Sequence, residues 1–257
     1  MRHEFVMENM HIHSKYSHDS EMEINRIAEI LVSNGIKYAA ITDDVDFEKE
    51  KVKDIVSKIK IRNLEIDRLN EEYKGKIKLL KGIEVDSPHR HAKEFYEVNA
   101  LDLDVIIGSI HKIPKAKSEL EERNFTYQYY NEMLDMVRFG KIDVVGHIDF
   151  INSLYNNDFC DYSILGKILS AIRYSDMVIE INTSAERICH QMYFPHPDKL
   201  KKYRQFKSEI TIGTDARTYD ELIINPLKIQ YLVKELGFNP IAFEKRKKKY
   251  LNPPTYH

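Results

Sequence analysis

Imidazole and carboxylate side chains recur in this chain at the ends of short apolar runs. The first are His11 and His13, whose spacing of two places both side chains on one face of a strand. The others, in chain order, are Asp43, Asp44, Glu84, Asp86, His111, His147, Glu180 and Asp215, and the amide of Asn182 lies two residues after Glu180. Gathered in one place, such side chains would hold Zn, Mn or Fe. Two such ions about 3.5–4 Å apart can generate hydroxide and stabilise the transition state of a phosphoryl transfer.

Each of these residues also has a structural interpretation. A lone His at a strand end is most often a hydrogen-bonded structural residue, and an Asp after a strand most often caps a turn or a helix. The recurrence at nearly every strand end favours a metal site over that interpretation. The sequence has no Walker loop, no glycine-rich dinucleotide turn and no Gly-x-Ser-x-Gly elbow. Cys189 and His190 are adjacent, but neighbours along a chain seldom form a catalytic pair.

The elements that must position these side chains are short strands alternating with helices. The predicted strands are Asn9–His13, Tyr38–Thr42, Ile77–Val85, Val105–His111, Val144–His147, Met177–Asn182 and Glu209–Gly213. The predicted helices are Glu23–Asn34, Phe47–Leu69, Ser118–Phe139, Tyr162–Tyr174 and Tyr219–Leu236. About seven strand–helix units, with several strands apolar on both faces, indicate an α/β fold with a parallel sheet. In a parallel barrel, the carboxyl ends of the strands meet at one mouth.

The composition limits the partners and the location of the protein. With 257 residues, 42% of them hydrophobic, the chain can form one large α/β barrel or two small domains. A net charge of −2 predicts no general attraction to nucleic acid or to an anionic membrane. The first ten residues lack the apolar core of a secretory signal, and two cysteines make no disulfide framework, so we expect a cytoplasmic protein. The basic run Glu244–Lys249 is interpreted as a solvated helix face or a frayed end, with phosphate contact as the alternative.

Seven segments occur in an order that resembles one known family. They are HIHSKYSHDS, ITDD, GIEVD, GSIHKI, VVGHIDF, EINTSAER and IGTDAR. Together they resemble the polymerase-and-histidinol-phosphatase (PHP) superfamily, and within it the stand-alone histidinol-phosphate phosphatases. The resemblance implies one domain over residues 1–257, with the motifs in 8–218 and a C-terminal helix and tail in 219–257. It also implies a distorted (β/α)7 barrel with two or three metal ions, and hydrolysis of L-histidinol phosphate in histidine biosynthesis.

The resemblance assigns metal ligands residue by residue. His11, His13, Glu84 and Asp215 would bind one ion. Glu84 would bridge to a second ion, which His111 and His147 would also hold. The family's third ion uses an acidic or imidazole group after the first motif and two further His residues. The first of these positions is Asp19 here, in preference to His18.

The other two positions of the third metal depart from the family pattern. Asp44 and Arg217 stand where the family usually has His. Arginine cannot be a ligand, because its guanidinium stays protonated and has no acceptor. The cofactors expected are therefore two divalent ions, with the third site lost or weakened. We expect Asp19, Asp44 and Arg217 to converge there, with the guanidinium between two carboxylates and able to reach a substrate phosphate. The alternative is simple degeneration of the third site.

Further residues are candidates for binding a small phosphate ester. The family commonly has an arginine at the position of Arg187, from which it could clamp a phosphate with two hydrogen bonds, and a structural surface arginine is the alternative. Tyr16, His190 and His196 are candidates by position alone. Glu180 and Asn182 are expected to shape the mouth or to orient ligands rather than to bind metal.

The resemblance predicts the reaction more firmly than it predicts the substrate. The expected reaction is an in-line attack on phosphorus by an activated hydroxide, with Glu84, Arg187 and Arg217 as catalytic residues. One alternative is a phosphoesterase that acts on another small phosphate ester. Another is a catalytically impaired paralogue used for binding, which the altered residues Asp44 and Arg217 would favour. A nuclease or polymerase-editing module would need a basic groove or a fused polymerase, and the sequence shows neither.

Overall fold

The computed structural model of the protein describes residues 7–155, 159–191, 193–225, 231–232 and 234–251. In these residues the strands are β1 (Met7–Ile12), β2 (Ile36–Ile41), β3 (Asp44–Val45), β4 (Lys78–Asp86), β5 (Val105–Ser109), β6 (Val144–Val145), β7 (Val178–Asn182), β8 (Glu209–Gly213), β9 (Asn239–Glu244) and β10 (Lys247–Tyr250). The α-helices are α1 (Ile24–Ser33), α2 (Val52–Glu72), α3 (Ala92–Asn99), α4 (Glu119–Phe139), α5 (Tyr162–Arg173), α6 (Ala185–Cys189) and α7 (Pro197–Arg204).

Local sequence explains where the longer helices begin and end. The Glu121 N–H donates to Ser118 Oγ at 3.3 Å and caps the start of α4, which ends at Gly140 in the left-handed conformation. Asp161 caps α5 in the same way. In the described part of the chain, no helix has both the length and the apolar character that a membrane crossing requires.

Seven parallel strands lie side by side in the order β1-β2-β4-β5-β6-β7-β8. The two ends of this series also meet. The Asp215 N–H donates to the His11 carbonyl at 2.9 Å, and the His13 N–H donates to the Ala216 carbonyl at 3.0 Å. The predicted α/β fold with a parallel sheet is therefore confirmed, and the contacts between β1 and β8 bring the seven strands into the closed order of a barrel.

The interior of the barrel is filled by apolar side chains from most of its strands. They are Met10, Ala40, Leu80, Val105, Ile107, Val144 and Val178. Ile241, Ala242 and Phe243 of β9 belong to the same buried cluster. β9 pairs with the beginning of β8, at Glu209 and Ile210, so it closes the barrel at the amino ends of the strands. Among the described residues, the carboxyl ends of the strands are the open end of the barrel, where a site can form.

The basic run Glu244–Lys249 was predicted as a helix face or frayed end, and that prediction is wrong. Lys245 and Arg246 have φ of +49° and +63° and reverse the chain between β9 and antiparallel β10. The Arg246 guanidinium bonds the Asp143 carboxylate and donates to Asn99 Oδ1 at 2.8 Å. The run therefore anchors the floor of the barrel, away from the mouth.

The predicted helix Tyr219–Leu236 is also wrong over most of its described length. A 3-10 helix covers only Tyr219–Glu221, and residues 223–225 have no regular structure. Pro226 in the sequence disfavours helical backbone at the residue before it. Helical backbone is described at 231–232 and 234, while 226–230 and 233 lie outside the described residues. The short helices α3, α6 and α7 were not predicted.

Candidate metal centre

Four buried side chains meet at the carboxyl ends of β1, β4 and β8. His11 Nε2 lies 3.2 Å from both His13 Nε2 and Glu84 Oε2. Asp215 Oδ1 lies 3.0 Å from His13 Nε2 and 3.4 Å from His11 Nε2. Around a tetrahedral zinc with bonds of about 2.0–2.1 Å, the donor atoms are about 3.3–3.4 Å apart. The four donors therefore have the spacing of one metal position, which we call the first position.

The other carboxylate oxygen of Glu84 faces a second group of donors. Glu84 Oε1 lies 2.9 Å from His147 Nε2 and 3.4 Å from His111 Nε2. The two imidazole nitrogens are 3.2 Å apart. Ser109 Oγ donates to the same Glu84 oxygen at 2.5 Å and fixes its orientation. Glu84 thus has one oxygen in the first position and one in this second position, which is the arrangement of a ligand that bridges two ions.

The charges of these side chains suit divalent cations. Burial alone would raise the pKa of Glu84, but the imidazoles of His11 and His111 hold it well below its usual range. Burial lowers the pKa of His111, yet the Glu84 carboxylate raises it to about 9. A proton and a cation therefore compete for the same imidazole nitrogens. The buried Glu84 Oε2 accepts no well-aligned hydrogen bond from the described residues, and a cation in the first position would satisfy it.

Glu180 contacts one residue of each position, His11 and His147, on the side away from the metal positions. Its Oε1 lies 2.7 Å from His11 Nδ1, which leaves His11 Nε2 to face the first position. Its Oε2 accepts from the His147 N–H at 3.0 Å and from Asn182 Nδ2 at 3.0 Å. A Cβ on Gly213 would lie 2.3 Å from Glu180 Oε1, so only glycine permits this approach of β8. Glu180 therefore contacts His11 and His147 from outside the two positions, and Asn182 bonds Glu180 in turn.

A buried ion pair supports the loop that carries His13. The Ser14 N–H donates to Asp43 Oδ1 at 2.6 Å, and Arg62 Nη1 donates to Asp43 Oδ2 at 3.1 Å. The Arg62 side chain is 0% exposed, and that of Asp43 is 5% exposed. His13 Nδ1 lies 3.1 Å from Ser17 Oγ in the same loop. The ring of His13 is therefore held from its outer nitrogen, with Nε2 directed at the first position.

A second buried ion pair lies behind His147. Asp149 Oδ1 accepts from Tyr130 OH at 2.7 Å and lies 3.0 Å from Lys199 Nζ. The other oxygen accepts the His196 N–H at 2.8 Å. This network ties the end of β6, which carries His147, to the segment that begins α7.

The family model of the PHP domain matches residues 9–184, more than half of the chain. The chain belongs to the PHP family. It is 26% identical to a histidinol-phosphatase of Lactococcus lactis subsp. lactis, over 90% of this chain and 92% of that protein. It is 22% identical to a DNA polymerase/3'-5' exonuclease of Bacillus subtilis, but this match spans 83% of the chain and only 35% of that protein.

A solved structure shares the fold of this PHP protein. It is histidinol phosphate phosphatase from Lactococcus lactis subsp. lactis, complexed with zinc, L-histidinol and phosphate. The TM-score is 0.73 at 20% sequence identity, and the match covers 96% of this chain and 100% of that one.

Arg217 lies at the position where the third metal site was expected to be lost or weakened. His13, Asp19 and Asp44 offer donor atoms within 4.8 Å of one another. Arg217 Nε donates to Asp19 Oδ2 at 2.5 Å, and Nη1 bonds the Asp215 carboxylate. The guanidinium does lie between two carboxylates, but the second is Asp215 of the first position and not Asp44. Burial lowers the pKa of Arg217, and the Asp215 carboxylate more than offsets that effect, so the side chain stays cationic.

The Arg187 guanidinium donates hydrogen bonds to backbone carbonyls of the chain itself. Nη1 donates to the Thr214 carbonyl at 3.1 Å and Nη2 to the Asp215 carbonyl at 3.2 Å. Nε lies 3.1 Å from Glu221 Oε1. In this arrangement Arg187 holds the backbone of a metal ligand, and a phosphate clamp stays a prediction that would need those bonds to be exchanged.

The three residues proposed by position alone have separate surroundings. Tyr16 is half-buried, and its OH donates to Glu65 Oε2 at 2.9 Å. His190 is exposed and ends α6 with φ of +56°. The half-buried His196 uses its ring to cap α7, where the Asp198 N–H donates to Nδ1 at 3.4 Å. None of these side-chain contacts is with a metal-position residue, so a role in substrate binding stays a prediction.

The donor residues could be identified from the sequence, whereas the residues that support them were mostly missed. Arg62 occupies the apolar stripe of α2 between Ile59 and Ile66, and this helical spacing could have identified it as buried. Its partner Asp43 was noticed only as a strand-end carboxylate. Ser109 gave no signal, because the sequence does not show which strands are neighbours.

Proposed function

We propose that this PHP protein is a metal-dependent phosphomonoesterase that hydrolyses L-histidinol phosphate to L-histidinol and phosphate. The observation that carries the proposal is Glu84, which has one oxygen in each of two adjacent donor groups. A pair of cations bridged in this way suits in-line displacement at phosphorus. The substrate is supported by the Lactococcus relatives, one named histidinol-phosphatase and one solved with zinc, L-histidinol and phosphate.

In this proposal the residues of the chain hold and orient the reacting groups. His11, His13, Glu84 and Asp215 would hold one ion, and Glu84, His111 and His147 would hold the other. Bound divalent ions would lower the pKa of water and neutralise charge on the phosphoryl oxygens. Glu180 keeps His11 in the tautomer that presents Nε2 to the first position.

Arg217 is the better placed of the two arginines to contact phosphate. Its Nε and Nη1 bond Asp19 and Asp215, while no described residue is a hydrogen-bond partner of Nη2. Its side chain is 31% exposed, so Nη2 can reach a ligand over the first position. Arg187 would act by fixing the Asp215 backbone. Arg217 would then stabilise negative charge on the phosphoryl group through a charge-assisted hydrogen bond.

We further propose that the protein holds two ions, of Zn, Mn or Fe, and that Arg217 takes the place of a third. Metal analysis of the purified protein should then give two ions per chain. Arg217→His removes the cation and adds an imidazole beside Asp19 and Asp44, so this variant should bind three. Three tightly held ions in the unaltered protein, or two in the variant, would contradict this proposal.

The substrate is tested by phosphate release from histidinol phosphate beside sugar and nucleotide monophosphates, with Zn or Mn added. We expect histidinol phosphate to have the highest kcat/KM. A higher value for another ester would instead support a phosphoesterase of different specificity. No phosphate release from any substrate would support a catalytically impaired paralogue used for binding. Cleavage of a DNA 3' end, the exonuclease activity in the name of the Bacillus relative, would contradict the monoesterase proposal.

A cytoplasmic location is part of the same proposal. It is supported by the similarity to the Lactococcus histidinol-phosphatase.

A further inference from the structure

The two strands that close the barrel are joined by side chains as well as by backbone. Near the mouth, the backbone of β1 bonds the residues after β8 directly. Deeper in the barrel, the Ile212 N–H donates to Glu8 Oε1 at 3.2 Å, and the Thr214 N–H donates to Asn9 Oδ1 at 3.1 Å. The beginning of β8 pairs with β9 instead, so β1 cannot form a regular ladder along the whole of β8. Side chains of β1 accept hydrogen bonds from the β8 backbone amides that have no partner in the ladder.

Asn9 is the residue that joins the two sides most completely. Its Oδ1 accepts from the Thr214 N–H and also from the His11 N–H, at 3.3 Å. Its Nδ2 donates to Thr214 Oγ1 at 2.8 Å and to the Leu222 carbonyl at 3.0 Å. The side chain is 0% exposed, and all four of its hydrogen-bonding positions are used.

This arrangement bears directly on the first metal position. One oxygen of Asn9 contacts the amide of the ligand His11 and the amide of the residue just before the ligand Asp215. The donor atoms of those two ligands are 3.4 Å apart across the seam between β1 and β8. Metal sites tolerate errors of only about 0.2 Å in ligand distance, so a small opening of the seam would spoil the position.

We propose that Asn9 is a positioning residue of the first metal position, and that its side-chain oxygen sets the spacing of His11 and Asp215. The proposal rests on the metal centre of the proposed function. Asn9 acts through the backbone of both ligands and touches no ion itself. What it controls is the affinity of the first position relative to the second.

The chain offers a matched control for a merely structural role. Asn70 of α2 bridges backbone in the same way, donating to the Leu79 carbonyl at 2.9 Å and accepting the Leu79 N–H at 2.9 Å. Leu79 lies near the amino end of β4, far along the strand from Glu84. Asn70→Leu therefore removes two bonds between a side chain and the backbone of a barrel strand without touching the seam.

The experiment compares the stepwise affinities for Zn, measured by competition with a chelator, in four variants. Asn9→Leu and Asn9→Ala remove the oxygen, and we expect the first position to bind about 10- to 100-fold more weakly, with the second within about threefold of the parent. Asn9→Asp keeps an oxygen for both amides but loses the donor to the Leu222 carbonyl, so it should recover part of the affinity that Asn9→Ala loses. Asn70→Leu should lower the Tm and leave both affinities unchanged.

The outcomes separate this inference from the proposed function. If the parent protein binds no ion, the metal centre itself is wrong. If it binds two ions and the Asn9→Ala protein binds them as tightly, only the positioning role is refuted. An equal loss of affinity in Asn70→Leu, or no recovery in Asn9→Asp, would also refute it. Asn9→Ala adds no bulk to the seam, so it gives the answer if Asn9→Leu does not fold.

Discussion

Replacing Glu180 with glutamine tests how far the metal positions depend on the groups behind them. The two side chains have nearly the same shape, so the substitution changes hydrogen bonding and charge with little change in packing. Glu180 is 1% exposed and accepts three hydrogen bonds through its two oxygens. Glutamine can present an oxygen on one side only.

Each orientation of the new amide disturbs one side of this arrangement. If the NH2 group faces His11, the ring must take its proton on Nε2, where the first position needs a lone pair. If it faces the other way, it meets the His147 N–H and the Asn182 amide, which both donate. An unsatisfied buried donor costs about 1–3 kcal/mol. We therefore expect Glu180→Gln to weaken binding of the first ion by about 10- to 100-fold, or about 1.4–2.7 kcal/mol.

Chelator competition measures this loss, and far-UV circular dichroism checks that the variant is folded. Glu209→Gln is the matched control, because Glu209 begins β8 at the opposite end of the barrel, where its carboxylate accepts from Tyr250 OH. The control should keep the parent affinity. A role of Glu180 in the first position is refuted if Glu180→Gln binds the first ion within about twofold of the parent, or if Glu209→Gln loses as much affinity.

Three further substitutions test the bridge, the barrel interior and the buried ion pair. Glu84→Gln leaves a single oxygen for two positions, so phosphate release should fall by at least about 100-fold in a protein that far-UV circular dichroism shows to be folded. A parent-like rate would disprove the bridge. Burial raises the pKa of Glu8 well above its usual value. The unfolded chain then loses this proton at lower pH than the folded protein, so Glu8 costs stability as pH rises above about 4.5. Glu8→Gln should raise the Tm at pH 8 by about 2–4 °C and by less at pH 5, and equal shifts at both pH values would argue against this. Arg62→Met leaves the buried Asp43 charge without its partner and should lower the free energy of unfolding by about 3–5 kcal/mol in urea titrations. Adding Asp43→Asn should recover part of that loss, and no recovery would show that the pair is not the cause.

The donors could be predicted from the sequence because they mark strand ends. Alternation of apolar runs and helices indicated a parallel sheet, and parallel strands bring their carboxyl ends together. His11, Glu84 and His147 follow from that rule and the ordered motifs. The prediction gave residues and order, and it did not give distances.

What could not be predicted depends on which residues become neighbours across the barrel. Arg217 was expected to lie between Asp19 and Asp44, but its guanidinium meets Asp19 and Asp215, which precedes it by two residues. The roles of Asn9 and Ser109 likewise depend on the pairing of distant strands. The basic run after Glu244 was read by charge alone, whereas burial of Phe243 and a reversal with positive φ decide its structure.

In the proposed function, two ions bridged by Glu84 catalyse hydrolysis of a phosphate monoester. Its most direct test is the initial rate of phosphate release from L-histidinol phosphate while metal-free protein is titrated with Zn or Mn. We expect no turnover without metal, and a rate that reaches its maximum at two ions per chain. Turnover by the metal-free protein, or a full rate with a single ion bound, would contradict it.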